Sequence, residues 1–191
     1  MEYRRRPRSW DMGISYPEAK DRILKFIKEQ KKKNNKTSGL KIAKAAVLLI
    51  MLRNGSRISE AIEAARKFVK EGKNEVYVRV AKRRDGAQRL MVLPEEMTED
   101  VLRELGKHVD RMYPELLAMF ARRHFGINTH TLRHAFSTYM VLDMGIAPEI
   151  VSRLQGRKDA RSLYEYMQEN RAEDVLRMAG ELAKAAKRAQ R

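Results

Sequence analysis

The chain has 191 residues, with 41 Lys and Arg against 25 Asp and Glu, a formal charge of +16, and no cysteine. The missing cysteines exclude disulfides, iron–sulfur clusters, thiolate zinc sites and cysteine nucleophiles. No run of about 18 apolar residues is present, which excludes a transmembrane helix. With 43% hydrophobic residues the sequence can fill the core of one domain rather than remain disordered. A charged fraction of 35% without cysteine leans toward a thermophile. The basic excess draws the chain to polyanions, nucleic acid first among them.

Residues 1–15 are basic and polar, broken by Pro7 and Gly13, and read as an arm. No apolar stretch follows the basic start, so it is not a secretory leader. Pro17-Glu18 opens a helix to about 31, with Ile23, Leu24, Phe26 and Ile27 as its stripe. The basic run Lys31 to Gly39 is a loop. Leu40 to Arg53 is dense in apolar residues, the pattern of a buried helix stopped by Asn54-Gly55. Ser56 or Ser59 is the expected cap of the next helix, which carries Ile62, Ala65 and Phe68.

Residues 75–94 switch to period two. Val76, Val78 and Val80 alternate with polar types, Asp85-Gly86 supplies a turn, and Leu90 and Val92 continue beyond it. This predicts a β-hairpin with a very basic tip of Lys82, Arg83, Arg84 and Arg89. Helices are then expected to about His108, from Pro114 to Phe125, from His130 (capped by Thr129) to Met144, and from Pro148 to Leu154. Two more are expected at about 160–167 and 172–188. The fold class is mostly α with a small antiparallel β-sheet.

Three segments carry chemistry. They are Asn54-Gly-Ser-Arg57-Ile-Ser-Glu60; His130-Thr-Leu-Arg133-His134; and Leu154-Gln-Gly156-Arg157, followed nine residues later by Tyr166. Singly each is weak. His130 and His134 are one turn apart, but Thr131 stands where a zinc protease would carry its Glu, and no third ligand is suggested, so no metal site is expected. In this order, with the basic hairpin between the first two, the five elements resemble the catalytic domain of the tyrosine recombinases, the phage-type integrases and Xer-like enzymes, of an archaeal or viral kind. The resemblance spans about residues 15–185. It divides the chain into a basic arm, 1–15, and a catalytic domain, 16–191, without the N-terminal core-binding domain of the family. Residues 1–15 are too short for that domain, so the expectation is an excised catalytic domain or a minimal recombinase.

The resemblance implies a site-specific recombinase or integrase that cuts and rejoins duplex DNA through a 3′-phosphotyrosine, with no metal and no cofactor. It implies Arg57 and Arg133 as the phosphate clamp, His130 as proton donor or acceptor, Lys82 as general acid and Tyr166 as nucleophile, with Glu60 and His134 in support. Arginine suits such a clamp because it is always charged and binds two phosphate oxygens at once. The position usually His or Trp in the family is Arg157 here; arginine cannot shuttle protons at neutral pH, so its role is electrostatic. Lys82, Arg83, Arg84 and Arg89 are the expected DNA contacts. Replacing Arg57 or Arg133 by Ala is expected to spare folding and DNA affinity while cleavage collapses. The partner is double-stranded DNA; a tetramer on DNA and a monomer in solution are both compatible. The location implied is the cytoplasm, nucleoid-associated, or a host cell if the source is a virus. The alternatives are a type IB-like topoisomerase and a non-catalytic DNA-binding protein.

Overall fold

A computed structural model describes residues 13–33, 35–161 and 163. Seven α-helices and one hairpin follow one another along this stretch. Helix α1 is Tyr16–Lys33. It buries Ala19, Ile23, Ile27 and Gln30, and its last turn carries Lys31, Lys32 and Lys33 against the negative end of the helix dipole. Helix α2, Ser38–Asn54, is the axis of the core. Eleven consecutive residues from Ile42 to Leu52 include ten buried ones, because α1, α3, α4 and α6 all pack around it. It ends where Gly55 turns left-handed at φ 53°.

Helix α3, Ile58–Glu71, is capped neither by Ser56 nor by Ser59. Its cap is Arg57, whose backbone N–H is held by the Glu60 carboxylate at 3.0 Å. Strands β1, Glu75–Arg79, and β2, Gln88–Val92, pair antiparallel with Tyr77 opposite Leu90 and Val76 opposite Met91. Val80 lies past the end of β1, and residues 80–87 join the strands, a longer connection than a two-residue Asp-Gly turn. Val76, Val78 and Met91 face the core; Tyr77 and Leu90 face outward. The second strand is thus inverted relative to a Leu90/Val92 core face. In Arg89-Leu-Met-Val92 apolar residues fall on both faces, so alternation alone does not set the register. The side chain of Asn54 does: it accepts from the Val92 N–H at 2.8 Å and donates to the Val92 carbonyl at 2.9 Å.

Helix α4, Glu99–His108, passes through a 3-10 turn, Val109–Arg111, into α5, Pro114–Phe125. Helix α6, Thr129–Thr138, is capped by Asn128, not Thr129, since the Asn128 side chain accepts the His130 N–H. Its continuation toward Met144 is a π-helical turn, Tyr139–Asp143. Helix α7, Pro148–Leu154, begins on its proline as expected. A second, smaller apolar cluster of Phe136, Val141, Val151 and Leu163 ties α6 and α7 together. Among the described residues no helix is long and apolar enough to cross a membrane. The expected helix at 172–188 and most of that at 160–167 lie outside the described residues.

Candidate active site

The C-terminal ends of α2 and α7, the start of α3 and the start of the hairpin loop meet at one point. Two glycines permit the approach. An added Cβ on Gly55 would sit 2.8 Å from the Gln155 amide nitrogen and closer still to the Phe136 ring; one on Gly156, at φ 65°, would sit 2.8 Å from Val80 Cγ1. Both positions therefore exclude a side chain on sterics as well as on backbone conformation.

Glu60 is the buried carboxylate of this junction, 1% exposed. Its Oε1 accepts from Arg57 Nη1 at 3.1 Å and from the Ala81 N–H at 3.0 Å. Its Oε2 accepts from the Arg57 N–H at 3.0 Å and from Arg89 Nη1 at 3.2 Å. All four lone-pair directions are used, so Glu60 braces and does not act as a base. Arg57 also donates to the Ala81 carbonyl at 3.1 Å, so one arginine–carboxylate pair clips the start of the hairpin loop to α3. Lys82 follows directly, exposed, and in the left-handed region at φ 67°.

Arg89 is not a surface contact. It points inward from β2 beside Glu60 and donates to the Asn54 carbonyl at 2.5 Å. A buried carboxylate facing Arg57 and β2 calls for a second cation, and the inverted strand supplies it. Arg83 is drawn onto Asp85 in a two-toothed ion pair, while Arg84 stays exposed.

Arg133 is buried on α6. Its Nη1 donates to the Gly55 carbonyl at 2.8 Å and its Nη2 to the Gln155 carbonyl at 3.1 Å. The guanidinium thus sits between the carbonyl ends of α2 and α7, a favourable place for a cation. Burial, with Arg157 and Arg57 nearby, pushes its pKa down to about 9, which leaves it charged at neutral pH. This tethering argues against removing Arg133 without harm to the fold. Arg157 is half-buried and donates through Nε to Gln155 Oε1 at 2.7 Å. Burial and Arg57 depress its pKa as well.

Arg57, Lys82 and Arg157 line one open cavity of about 200 Å³ together with Ala81, Arg83, Gly156, Lys158 and Asp159. The cations here, Arg133 and Arg89 behind them included, outnumber the carboxylates Glu60 and Asp159. Such a surplus selects an anionic ligand. His130 stands at the α6 N-terminus, exposed, within electrostatic reach of Arg133, Lys82 and Arg57. Desolvation first, and those cations next, hold its pKa below the ordinary value, so it is neutral at pH 7.

His134 lies elsewhere: it lines a separate cavity with Tyr16, Tyr139 and Asp143. Among the described residues no group of three or more metal-ligating side chains occurs. Tyr166 and its neighbour Tyr164 lie outside the described residues; Leu163, just before them, is buried against Phe136 and Val151. Two site residues carried no sequence signal for their roles. Asn54 read as a helix stop at the head of the first segment, with no bond to β2 foreseen, and Gln155 as a filler between motif residues.

No family model matches the chain, and no solved structure does. Two relatives do. The uncharacterized protein MJ0770 of Methanocaldococcus jannaschii is 29% identical over 206 aligned residues, covering 91% of this chain and 90% of that protein. The protein named "Putative integrase ORF241" of Acidianus two-tailed virus is 30% identical over 170 residues, covering 88% of this chain and 68% of the viral one. An arginine-lined cavity on a helical domain, within a chain this similar to the viral protein along most of its length, leads to one assignment: the chain belongs to the integrase family of that viral protein.

Proposed function

We propose that the protein cuts and rejoins duplex DNA through a phosphotyrosine intermediate, as a recombinase of the tyrosine class. The observation that carries this reading is the gathering of Arg57, Arg157 and Lys82 on one open cavity, with Arg133 in the wall behind it. A phosphodiester bound there would place its non-bridging oxygens against guanidinium groups, which are planar donors that stay charged through the reaction. Charge grows on those oxygens in the pentacovalent transition state, and the preorganised cations oppose it.

In the proposed step the Tyr166 oxygen attacks phosphorus. A Tyr–O–P bond forms, the P–O5′ bond breaks, and the 5′-oxygen leaves as a hydroxyl. His130, neutral before DNA binds, takes the phenol proton. Lys82, on its own strained backbone position beside the cavity, gives a proton to the leaving oxygen. Reversal by a different 5′-hydroxyl completes strand exchange, and the phosphotyrosine conserves the bond energy between the two halves. The basic surface of the chain supplies the rest of the affinity.

Trapping tests the reading. A nicked duplex that loses its 5′-hydroxyl fragment on cleavage should leave the protein covalently joined to DNA. Tyr166→Phe should abolish the adduct while DNA binding persists, and Tyr164→Phe should not. No adduct with the unaltered protein, or its mapping to Tyr164, would overturn the proposal.

A further inference from the structure

We infer that Gln155 is a positioning residue of the site: its side-chain amide aims Arg157 and locks it to Arg133. The inference rests on the phosphoryl-transfer reading above. Gln155 is wholly buried, an unusual place for an amide, and every group of it is used. The side-chain nitrogen donates to the Arg133 carbonyl at 3.3 Å and to Ser137 Oγ at 2.8 Å. The side-chain oxygen accepts the Arg157 Nε–H at 2.7 Å. The backbone carbonyl accepts Arg133 Nη2 at 3.1 Å, and the backbone N–H closes the last turn of α7 onto Val151.

The chemistry of the partners fixes the amide orientation. A backbone carbonyl can only accept, and a guanidinium can only donate. Nitrogen must therefore face α6 and oxygen must face Arg157. Neither neighbour in chemical space fits both sides. A glutamate would set an oxygen against the Arg133 carbonyl and put a negative charge among the clamp arginines. A leucine or methionine would fill the volume but leave Arg157 Nε without this acceptor.

The arrangement explains how an arginine can serve where the family pattern has His or Trp. A ring is stiff and needs little help. A guanidinium on three methylenes is not, and its Nε is the one donor close enough to the chain to be tied without spending the outer nitrogens. With its Nε held, Arg157 lines the cavity beside Arg57 and Lys82. Because Gln155 bonds Arg133 through both its carbonyl and its amide, the two arginines are held as one unit with their spacing set.

A double-substitution cycle on DNA cleavage reads this directly. Gln155→Leu and Gln155→Met should each slow single-turnover cleavage by about tenfold or more, the scale of a displaced clamp group, with duplex affinity changed by less than about threefold. In an Arg157→Ala background the same changes should cost less than about threefold, since the arginine they aim is gone. Equal costs in both backgrounds would make Gln155 a packing residue and overturn the inference.

A measurement on the unaltered protein does not depend on those variants folding. The Arg157 Nε–H, identified by its loss in Arg157→Lys, should give a resolved nitrogen-15 resonance that exchanges slowly at neutral pH. Exchange as fast as that of a solvent-exposed arginine would equally overturn it. If the unaltered protein forms no covalent adduct, the phosphotyrosine reading fails. The Nε–H measurement still decides whether Gln155 holds Arg157.

Discussion

Arg57 and Arg133, the proposed clamp, are expected to differ in what their loss does to the fold. Arg133 is buried and ties the carbonyl ends of α2 and α7 through two hydrogen bonds, at 2.8 and 3.1 Å. A bond from a charged donor is worth about 1.5–3 kcal/mol, so two give about 3–6 kcal/mol as an upper bound. Removing a cation whose pKa burial has depressed also removes its desolvation cost, which offsets part of that. Arg133→Ala should therefore destabilise the protein by about 2–4 kcal/mol, with Gly55 and Gln155 carbonyls left unpaired. In a domain of this size about 1 kcal/mol moves the midpoint by about 2–4 °C, so thermal unfolding should shift down by about 5–15 °C. Arg57 is different. Its side chain is 26% exposed, one bond goes to the Ala81 carbonyl, and Glu60 keeps Arg89 when Arg57 is gone. The bond from Arg57 to Glu60 shares the same Nη1 and is partly screened by solvent, so Arg57→Ala should cost about 1–2 kcal/mol and still fold at working temperature. Melting curves followed by circular dichroism, without DNA, measure both. Midpoints for the two variants within about 2 °C of one another would refute the argument that Arg133 is structural as well as electrostatic.

Glu60→Gln should cost about 3–5 kcal/mol, because it leaves the buried Arg89 without its counter-charge; urea unfolding should show a lower midpoint at unchanged slope, and no change in midpoint would dispose of the idea. Gly156→Ala should destabilise by at least about 1–2 kcal/mol from the left-handed backbone alone. Pairing it with Val80→Ala should recover only the part due to the close approach to Val80, so full recovery would show that backbone strain contributes nothing. The folded state disfavours protonated His130, chiefly through desolvation. The unfolded chain thus binds more protons in that range, and stability should fall as pH drops below about 6.5 and be fully present above it. His130→Gln should flatten that loss between about pH 5 and about pH 7 in melting experiments, and an unchanged slope would assign the acid sensitivity to other groups. Duplex affinity should weaken steeply with salt as several phosphates are neutralised together, and a flat dependence would speak against a DNA surface.

The sequence by itself determined most of the elements. The apolar run from Ile42 to Leu52 makes a central helix whatever surrounds it, because a stripe that wide can be buried only on all sides. Pro114 and Pro148 start their helices, since a residue lacking an N–H fits only the first turn. Arg57, Arg133 and Arg157 were picked out by order and spacing, and Arg57 and Arg157 line one cavity with Arg133 behind them. Only the tertiary structure decided which charges face water. Arg89 reads as one more cation of a basic hairpin, yet a buried carboxylate 29 positions earlier receives it on the inner face, in the register that Asn54 fixes at Val92. Period-two alternation cannot express that, for it records hydrophobicity and not the pull of a distant counter-charge. The separation of His134 from the arginines has the same origin: one helical turn after His130 in sequence, it lines a cavity with Tyr16, Tyr139 and Asp143. Gln155 shows the limit most plainly. A lone glutamine before a glycine carries no pattern, and its meaning comes from an acceptor on one side and a donor on the other, contributed by α6 and by the loop after α7.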